Sequence, residues 1–283
     1  MNDSSFLTRL GGTLKGCAKI ALLARHATLR PVHDSRPLLV MGNGPSLRKV
    51  LDTRPPFLKE AALMAVNFAA NAPEFTWLKP EYYVIADGFF FSDVHGHENL
   101  EHLYKAFSEV DWSMTLIVPV RYGKHLPSAV TDNRNIRIAT FNDVGVEGFG
   151  AFERLVYSAR MAMPRPRNVL ITALTAAIWM GYTEIYVTGA DHSWMKTIAV
   201  DGDNHVISVQ PHFYKDSSTE QKRVDTEYAG YHLHDIIMSF YIAFRSYHRI
   251  EEWAVKKGVN IYNTTPESFI DAFRRRPLPG CQE

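Results

Sequence analysis

A short apolar run leads directly into a loop whose residues suit the binding of an anion or a nucleotide. Leu38-Leu39-Val40-Met41 is followed by Gly42-Asn43-Gly44-Pro45-Ser46. The glycines allow a tight turn, Pro45 fits the first position of a helix, and Ser46 can satisfy free helix amides. Such a loop is neither a Walker loop nor a dinucleotide fingerprint. A plain strand-to-helix turn is the alternative, but the buried strand and Asn43 favour a ligand site.

Polar side chains also follow three other predicted strands, at the point where each strand ends. Asn67 follows Met64-Ala65-Val66, Asp87 follows a run ending in Ile85-Ala86, and Asp191 follows Thr188-Gly189-Ala190. In open α/β sheets the ligand crevice lies outside the carboxyl ends of the strands. Each residue alone is better explained as a helix cap. Together, the four strand ends predict a ligand crevice.

Histidines supply the candidate general base. His232 and His234 stand just before a long predicted helix, and their spacing does not predict a zinc site. Histidine is the side chain best suited to accept a hydroxyl proton near neutral pH. Either residue can instead be an ordinary surface or capping histidine.

The segment Asp201-Gly202-Asp203 superficially matches an Asp-x-Asp motif that holds a metal and a nucleotide. However, Asp-Gly between short apolar runs is a common hairpin signal. We therefore predict a turn here rather than a metal site.

Composition narrows the class of protein. The 283 residues carry a formal net charge of +1, which gives no overall field to attract nucleic acid. Cys17 and Cys281 lie near opposite ends, so neither a disulfide framework nor a Cys-x-x-Cys metal site is predicted, and a reducing, cytoplasmic compartment fits best. No run approaches the roughly 20 apolar residues that a membrane span requires.

Short apolar runs alternate with helical stretches after Pro37, as is typical of a parallel α/β sheet. The predicted strands are Leu38–Met41, Leu63–Val66, Tyr82–Ala86, Thr115–Val118, Ile136–Ala139, Ile185–Thr188 and Asn260–Tyr262. The predicted helices are Ser46–Asp52, Leu100–Ser108, Phe149–Ala162, Val169–Met180 and Asp235–Lys257. The apolar stripe of the last helix is predicted to contain Ile236, Ile237, Phe240, Ala243, Phe244, Tyr247 and Ile250, with Gly258 as its cap. We predict an α/β, Rossmann-like, mostly parallel sheet with helices on both faces.

Three further segments flank or interrupt this domain, which we place at residues 37–273. Residues 192–230 are polar with little periodicity and are predicted to form a lid-like insertion. Residues 274–283 form a basic tail. Residues 1–36 carry six Lys/Arg against two Asp/Glu and are weakly amphipathic. That segment is predicted either to lie on an anionic membrane surface or to pack on the domain or on another subunit.

The motifs together resemble those of the bacterial sialyltransferases of the Campylobacter type and the related polysaccharide-locus and pterin-pyrophosphokinase-like domains. The resemblance runs in order from about Pro37 to Phe273. It rests on Gly42-Asn43-Gly44-Pro45-Ser46-Leu47, on Asn67, on Asn168, on Gly181-Tyr182-Thr183-Glu184-Ile185-Tyr186-Val187-Thr188-Gly189-Ala190-Asp191, and on the stretch Gly258 to Ser268. It continues at Asp87, where the family has an Asn, and this departure bears on which sugar is transferred. It implies a Rossmann-like enzyme that inverts configuration and needs no metal or other cofactor. Such an enzyme transfers a nonulosonate or Kdo-type sugar from CMP to a surface glycan.

The resemblance also implies residue roles. The donor would be bound by Gly42, Asn43, Gly44, Pro45, Ser46, Asn67, Asn168, Gly189, Ala190, Asp191 and Ser193. Asp87 would face the donor sugar, and His234 or His232 would be the base. The family's phosphate-binding tyrosines have no clear counterpart: Ser193 occupies one such place, and His212 and Tyr214 are candidates. Because a CMP leaving group needs positive or hydrogen-bonding groups, Arg165 and Arg167 are further phosphate candidates.

Two other functions remain open from the residues. An ATP-dependent pterin pyrophosphokinase would need Mg²⁺, for which Asp87 and Asp191 are possible ligands. A non-catalytic nucleotide-sugar-binding partner in a polysaccharide assembly complex is the second. For the sugar transferase and for both alternatives we expect a homo-oligomer with no nucleic-acid partner, located in the cytoplasm or on the inner face of the cytoplasmic membrane.

Overall fold

An eight-stranded parallel sheet forms the centre of the computed structural model, which describes residues 5–91, 97–207 and 230–281. Its strands are β1 (Leu38–Met41), β2 (Ala62–Val66), β3 (Tyr82–Val84), β4 (Met114–Pro119), β5 (Ile136–Phe141), β6 (Glu184–Thr188), β9 (Asn260–Asn263) and β10 (Arg274–Arg275). A separate hairpin consists of β7 (Ala199–Val200) and β8 (Val206–Ile207), which pair antiparallel. The strand order in the sheet is β10-β9-β6-β1-β2-β3-β4-β5.

This order places a topological switch point between β1 and β6. The chain builds outward from β1 to β5 and then returns to the other side of β1 as β6, where Val40 lies opposite Val187. Loops that leave two such strands run in opposite directions, so a crevice opens between them at their carboxyl ends. The predicted Rossmann-like α/β fold is confirmed, and so is the alignment of the polar strand ends along one edge.

Helices cover both faces of the sheet. They are α1 (Phe6–Leu23), α2 (Leu47–Thr53), α3 (Phe57–Glu60), α4 (Phe75–Leu78), α5 (Glu98–Ser108), α6 (Ser128–Thr131), α7 (Gly150–Ser158), α8 (Val169–Met180) and α9 (Leu233–Lys256). Short 3₁₀ segments lie at Asn67–Asn71, Gly88–Phe91 and Ser193–Thr197. The central strand shows why two layers are needed: Leu38 and Val40 enter one apolar cluster, whereas Leu39 and Met41 enter the other.

Helix α8 is the central helix of one layer. Every residue from Leu170 to Met180 is buried, and the sequence is apolar on all sides, as expected for a helix enclosed by other elements. It packs between the sheet and α9, to which the buried residues Phe240 and Tyr247 belong. Its first turn therefore reaches the switch point.

Several element boundaries differ from the prediction. Helix α9 buries Ile236, Phe240 and Ile250 as predicted, but Ile237 is half exposed and does not belong to the core stripe. The sheet also extends into the segment predicted to be a basic tail, because Arg274 pairs with Tyr262. The three four-residue helices, α3, α4 and α6, were not predicted because one turn carries no periodicity.

Helix α1 packs on the segment that precedes α7. Gly16 lies against the Phe152 ring, and Gly12 lies against the backbone of Glu147. Lys19 donates a hydrogen bond to the Gly145 carbonyl at 3.2 Å. Contact with the domain, one of the two predictions for this segment, is therefore confirmed for one side of the helix. Among the described residues no helix is long and apolar enough to cross a membrane.

Gly181 provides a test of how α8 ends. It has φ +93° and its N–H bonds back into the last turn, so it is a left-handed cap. A Cβ here would meet no atom closer than the Val32 carbonyl oxygen at 3.9 Å, so Gly181→Ala should strain the backbone without a clash. We expect the free energy of unfolding to fall by about 1–2 kcal/mol in urea titrations. Gly202→Ala, at a glycine with open space and no left-handed φ, is the control and should leave it unchanged.

Candidate functional site

A cavity of about 720 Å³ opens at the switch point, within the size range of small-molecule sites. One wall comes from the ends of β1, β2 and β3 and includes Asn43, Asn67 and Asp87. The opposite wall comes from the start of α8, the loop after β6 and the first turns of α9, and includes Asn168 and His192. The site therefore lies where the sequence placed the crevice.

The loop after β1 is fastened to the loop after β6 by Asp191. The Ser46 hydroxyl donates to Asp191 Oδ2 at 2.7 Å, and the Ser46 N–H donates to Oδ1 at 3.3 Å. The Gly44 N–H donates to the Gly189 carbonyl at 2.8 Å. These contacts hold two segments about 145 positions apart in the chain, and they leave Ser46 behind the cavity wall rather than in it.

This geometry revises the roles expected of the loop. A Cβ on Gly44 would lie 2.0 Å from Asp191 Oδ2 and 2.7 Å from the Gly189 carbonyl oxygen. Glycine is therefore required at this position by contacts within the protein itself. Ser46 makes no side-chain cap of α2, because its hydroxyl is used by Asp191. Pro45 precedes the N-cap instead of occupying the first helical position, and it lines the cavity.

Three polar atoms in the cavity wall have no hydrogen-bond partner in the described part of the chain. They are Asn43 Oδ1, Asn67 Oδ1 and Thr172 Oγ1. The Asn43 amide already donates to the Val66 carbonyl at 3.2 Å, and the Thr172 side chain is fully buried. A buried polar atom without a partner costs about 1–3 kcal/mol. All three belong to residues that line the same cavity, which indicates a ligand rich in hydrogen-bonding groups.

Asn67 adopts a backbone conformation that is uncommon for a residue with a side chain. Its φ is +49°, and its carbonyl accepts a hydrogen bond from the buried Tyr83 hydroxyl. Asparagine tolerates the left-handed region better than most residues. The conformation directs the chain out of β2 into the 3₁₀ segment while the Asn67 side chain stays on the cavity wall.

His192, Tyr247 and Asn168 form a buried polar cluster at the opposite wall. Asn168 Oδ1 caps α8 by accepting from the Leu170 and Ile171 amides at 3.1 and 3.2 Å. The Tyr247 hydroxyl lies 2.8 Å from the same oxygen and 2.6 Å from His192 Nε2. If the hydroxyl donates to the amide oxygen, His192 Nε2–H donates to the hydroxyl, and Nδ1 carries no proton.

Burial lowers the pKa of His192 to about 3, so the ring is neutral at physiological pH. Its ring packs against Trp194 with the centroids 4.2 Å apart, and its φ is +51°. Because the neutral His192 ring is held by Tyr247 and Trp194, it fixes the position of this part of the cavity wall. It is a weak base, because its pKa lies far below neutrality.

Charged groups line the cavity unevenly. Arg121 is paired with Asp143, whose pKa is raised by burial against the opposing effect of Arg121. Arg167 is exposed on the cavity wall, and within the described ranges no carboxylate forms an ion pair with it. Arg165 does not line the cavity and instead lies 3.9 Å from Glu147. Of the two arginines predicted for phosphate binding, the structure brings Arg167 to the site.

The predicted base lies at the rim. His234 is exposed, with Nε2 3.3 Å from Asp235 Oδ1, and His232 is the N-cap of α9. Neither histidine lines the cavity, whereas Asp235 does. Asp235 Oδ2 also accepts from the His232 N–H at 3.1 Å. The structure thus brings the carboxylate partner of His234 to the site, and the role of either histidine stays a prediction.

Some of the remaining predicted site residues line the cavity, whereas others support the residues that line it. Gly189, Asp191 and Ser193 line the cavity, and Asp87 lines it while its Oδ1 accepts from the Phe89 N–H at 2.8 Å. Gly42 and Ala190 do not line it: Gly42 packs on Gly189, and the Ala190 N–H donates to Thr265 Oγ1. His212 and Tyr214 lie outside the described residues.

The cavity residues that sequence reasoning missed include Thr172, His192, Trp194 and Asp235. For two of them, the position in the sequence could have identified the residue. Thr172 lies one helical turn after the capping residue Asn168, and His192 directly follows Asp191. The Asp201-Gly202-Asp203 turn is confirmed, because the Asp201 N–H pairs with the His205 carbonyl between β7 and β8. Across residues 5–91, 97–207 and 230–281 no three His, Cys, Asp or Glu side chains group as metal ligands.

Comparison with known proteins adds one distant likeness. No family model matches the chain, and no curated protein matches it. Among solved structures it is similar to the MAf glycosyltransferase from Magnetospirillum magneticum AMB-1, with a TM-score of 0.49 and 12% sequence identity. The match covers 96% of this chain and 38% of that one, so this chain spans well under half of its length. The site is therefore interpreted from its own residues.

The pKa of His192 predicts how stability depends on pH. Above about pH 6.5 the ring is neutral in both the folded and unfolded states, and it adds no pH dependence. Below that pH the unfolded chain binds a proton that the folded chain cannot, down to a pKa of about 3. This residue should therefore lower the free energy of unfolding by about 1.4 kcal/mol per pH unit on acidification.

His192→Asn removes this titration and keeps a residue that tolerates a left-handed φ. Denaturant titrations from neutral to mildly acid pH should show a shallower slope for the variant than for the wild type. His102→Asn, at an exposed position on α5, is the matched control and should keep the wild-type slope. Equal slopes for the wild type and His192→Asn would contradict the buried, neutral state of this ring.

Proposed function

We propose that the cavity binds a nucleotide-activated sugar and that the protein is a glycosyltransferase. The observation that carries the proposal is the set of unpartnered atoms Asn43 Oδ1, Asn67 Oδ1 and Thr172 Oγ1, all of which belong to residues that line this cavity. The two amide oxygens need donors, which the hydroxyl and amino groups of a nucleoside supply. An apolar ligand would leave all three atoms unsatisfied.

The phosphate of the donor is assigned to the opposite wall. Arg167 lines the cavity one residue before Asn168, which caps α8. A guanidinium offers several donors in a fixed planar arrangement that matches phosphate oxygens. Helix N-termini add favourable partial charge for the same anion. Arg167 would therefore bind the phosphate in the ground state and stabilise the negative charge that grows on it as the glycosidic bond breaks.

Within this class we propose a CMP-linked nonulosonate or Kdo-type donor and inversion of configuration. The acceptor hydroxyl forms a bond to the anomeric carbon as the bond from that carbon to the phosphate oxygen breaks. CMP leaves with the bonding electron pair, and a base takes the acceptor proton. The resemblance of the Gly42–Leu47 loop and of the segment ending at Asp191 to CMP-sugar transferases supports this donor.

His234 is proposed as the base. It stands at the rim rather than inside the cavity, which suits a group that must meet the acceptor rather than the donor. Asp235 joins the rim to the cavity wall and lies 3.3 Å from the His234 ring, where it can orient the ring. Asp87 is proposed to contact the donor sugar. His192 is assigned to positioning, because its low pKa disfavours proton uptake.

Thr172 and Thr175 provide a matched pair that tests ligand binding. Valine has nearly the shape of threonine, so Thr172→Val removes the unpartnered hydroxyl of a residue that lines the cavity. We expect the ligand-free protein to gain about 1 kcal/mol in unfolding free energy, because the buried hydroxyl loses its desolvation cost. CMP affinity, measured by isothermal titration calorimetry, should fall about tenfold with the loss of one hydrogen bond.

Thr175→Val is the control. Its hydroxyl donates to the Ile171 carbonyl at 2.8 Å within α8 and does not line the cavity. This variant should lose some stability and keep its CMP affinity. The same titration with CTP, ATP and UDP, with and without Mg²⁺, identifies the nucleotide. Preference for ATP with Mg²⁺ would replace the proposal with a pyrophosphokinase, and wild-type CMP affinity in Thr172→Val would remove the observation that carries it.

His234→Ala tests the proposed base. Removal of a general base costs about a hundred- to ten-thousand-fold in rate. We expect that loss in transfer from a CMP-sugar donor, with CMP affinity unchanged because His234 lies outside the cavity wall. His232→Ala, which removes only a helix cap, should be milder. The measurement is the single-turnover rate together with the affinity for CMP.

His248→Ala is the matched control, because His248 also lies exposed on α9 beside a carboxylate, Asp271, at 3.1 Å. It should transfer at the wild-type rate. A larger loss in His232→Ala than in His234→Ala would exchange the two roles. Normal turnover in both variants would exclude this pair and direct the search for the base to His212.

A further inference from the structure

One side of α1 is an apolar surface that no residue within 5–91, 97–207 and 230–281 covers. The residues Phe6, Leu7, Leu10, Leu14, Cys17, Ala18, Ala21 and Leu22, with Gly11 among them, are all exposed, and we call them the outer face of α1. Leu7, Leu14 and Leu22 are 74%, 62% and 69% exposed. At 3.6 residues per turn these positions span about 160° of the helix, without one charged residue among them. Monomeric soluble proteins rarely expose a continuous patch of this kind.

The opposite side of α1 is fixed to the protein. Gly16 and Ile20 are buried, the Thr13 hydroxyl accepts from the Phe149 N–H at 3.0 Å, and Lys19 bonds to Gly145. Gly11 and Gly12 would weaken this helix in isolation. Because the domain holds it, the outer face is ordered before any partner arrives, and its leucines cannot turn inward.

The charges around α1 are positive. The helix contains Arg9, Lys15 and Lys19 and no acidic residue. Burial lowers the pKa of Lys19, and nearby Lys15 and Arg165 lower it further, whereas Glu147 opposes them. Glu147 is itself paired with Arg245. Arg25 follows directly after the helix, so no carboxylate on α1 offsets this field.

We infer that the outer face of α1 docks on an anionic lipid surface. Apolar residues over a wide arc, with the cation Lys15 at its edge, fit the pattern of a helix that lies in the membrane interface. Lys15 stands next to the edge of the arc, where its ammonium can reach lipid phosphates while its methylene chain follows the leucines into the membrane. Each cation near an anionic leaflet strengthens binding and makes it dependent on salt.

A second copy of the chain is a poorer occupant of the same face. Two α1 helices paired through it would bring the Lys15 of each copy, at the edge of the face, beside the seam with no acidic residue on either helix to meet it. Paired helices also use a narrow seam of two positions in seven, with complementary charges beside it. The arc on α1 is wider than such a seam, and Lys15 at its edge has no complementary acidic residue on the helix.

Vesicle co-sedimentation of the full chain tests the inference. Wild-type protein should sediment with vesicles of phosphatidylcholine mixed with phosphatidylglycerol, should bind phosphatidylcholine alone much less, and should be released by high salt. The double variant Leu7→Glu with Leu14→Glu should bind the mixed vesicles at least about tenfold more weakly. Val200→Glu with Val255→Glu, at two exposed positions outside α1, is the matched control and should bind as the wild type does.

Cys17 supplies a second readout on the same face. An environment-sensitive fluorophore attached to Cys17 in the Cys281→Ser chain should shift to the blue when mixed vesicles are added and not before. The masses of the wild type and of the leucine variant are measured in parallel by sedimentation equilibrium. A shift that grows with protein concentration in the absence of vesicles, together with a dimer mass lost in the leucine variant, would assign the face to a second copy. Equal vesicle binding by wild type and leucine variant would exclude the face from any lipid contact.

Discussion

The site depends on one carboxylate that joins two loops from opposite sides of the switch point. Asp191 accepts both the hydroxyl and the backbone N–H of Ser46, and Gly44 fits only because no Cβ occupies the space that the carboxylate fills. Hydrogen bonds to a charged group contribute about 1.5–3 kcal/mol, more than neutral ones. A parallel sheet alone would leave the two loops free to diverge. With Asp191 in place, both walls of the cavity have a fixed separation.

Residues near the contact between Asp191 and Ser46 have unfavourable backbone conformations or polar atoms without hydrogen-bond partners. Asn67 and His192 have left-handed backbones, and Thr172 keeps a buried hydroxyl unsatisfied. Each costs about 1–3 kcal/mol in a chain whose total stability is of the order of 10 kcal/mol. Packing of the surrounding core, in which α8 is enclosed on all sides, offsets the free energy that these positions lose. Unfavourable local choices that meet at one cavity are typical of a binding site.

The sequence was sufficient for the sheet and for the edge at which the site lies. Long apolar runs between polar turns located the strands, and the polar residues Asn43, Asn67 and Asp191 marked their carboxyl ends. What each polar residue contacts was not predictable. Ser46 was expected to cap a helix, yet its hydroxyl reaches a carboxylate about 145 residues away. The arrangement of His192 with Tyr247 depends likewise on how α9 packs on α8, which no local pattern encodes.

The position of β6 also has a consequence for the order in which the chain can be completed during synthesis. β1 pairs with β2 on one side and with β6 on the other, and more than 140 residues separate β1 from β6. Until β6 leaves the ribosome, the half-sheet from β1 to β5 presents β1 as an open edge of apolar residues. Such an edge can pair with another chain, and non-local pairing of this kind is slow. Translation of the segment between β5 and β6 is therefore the interval in which the nascent chain is most exposed to aggregation and to capture by chaperones.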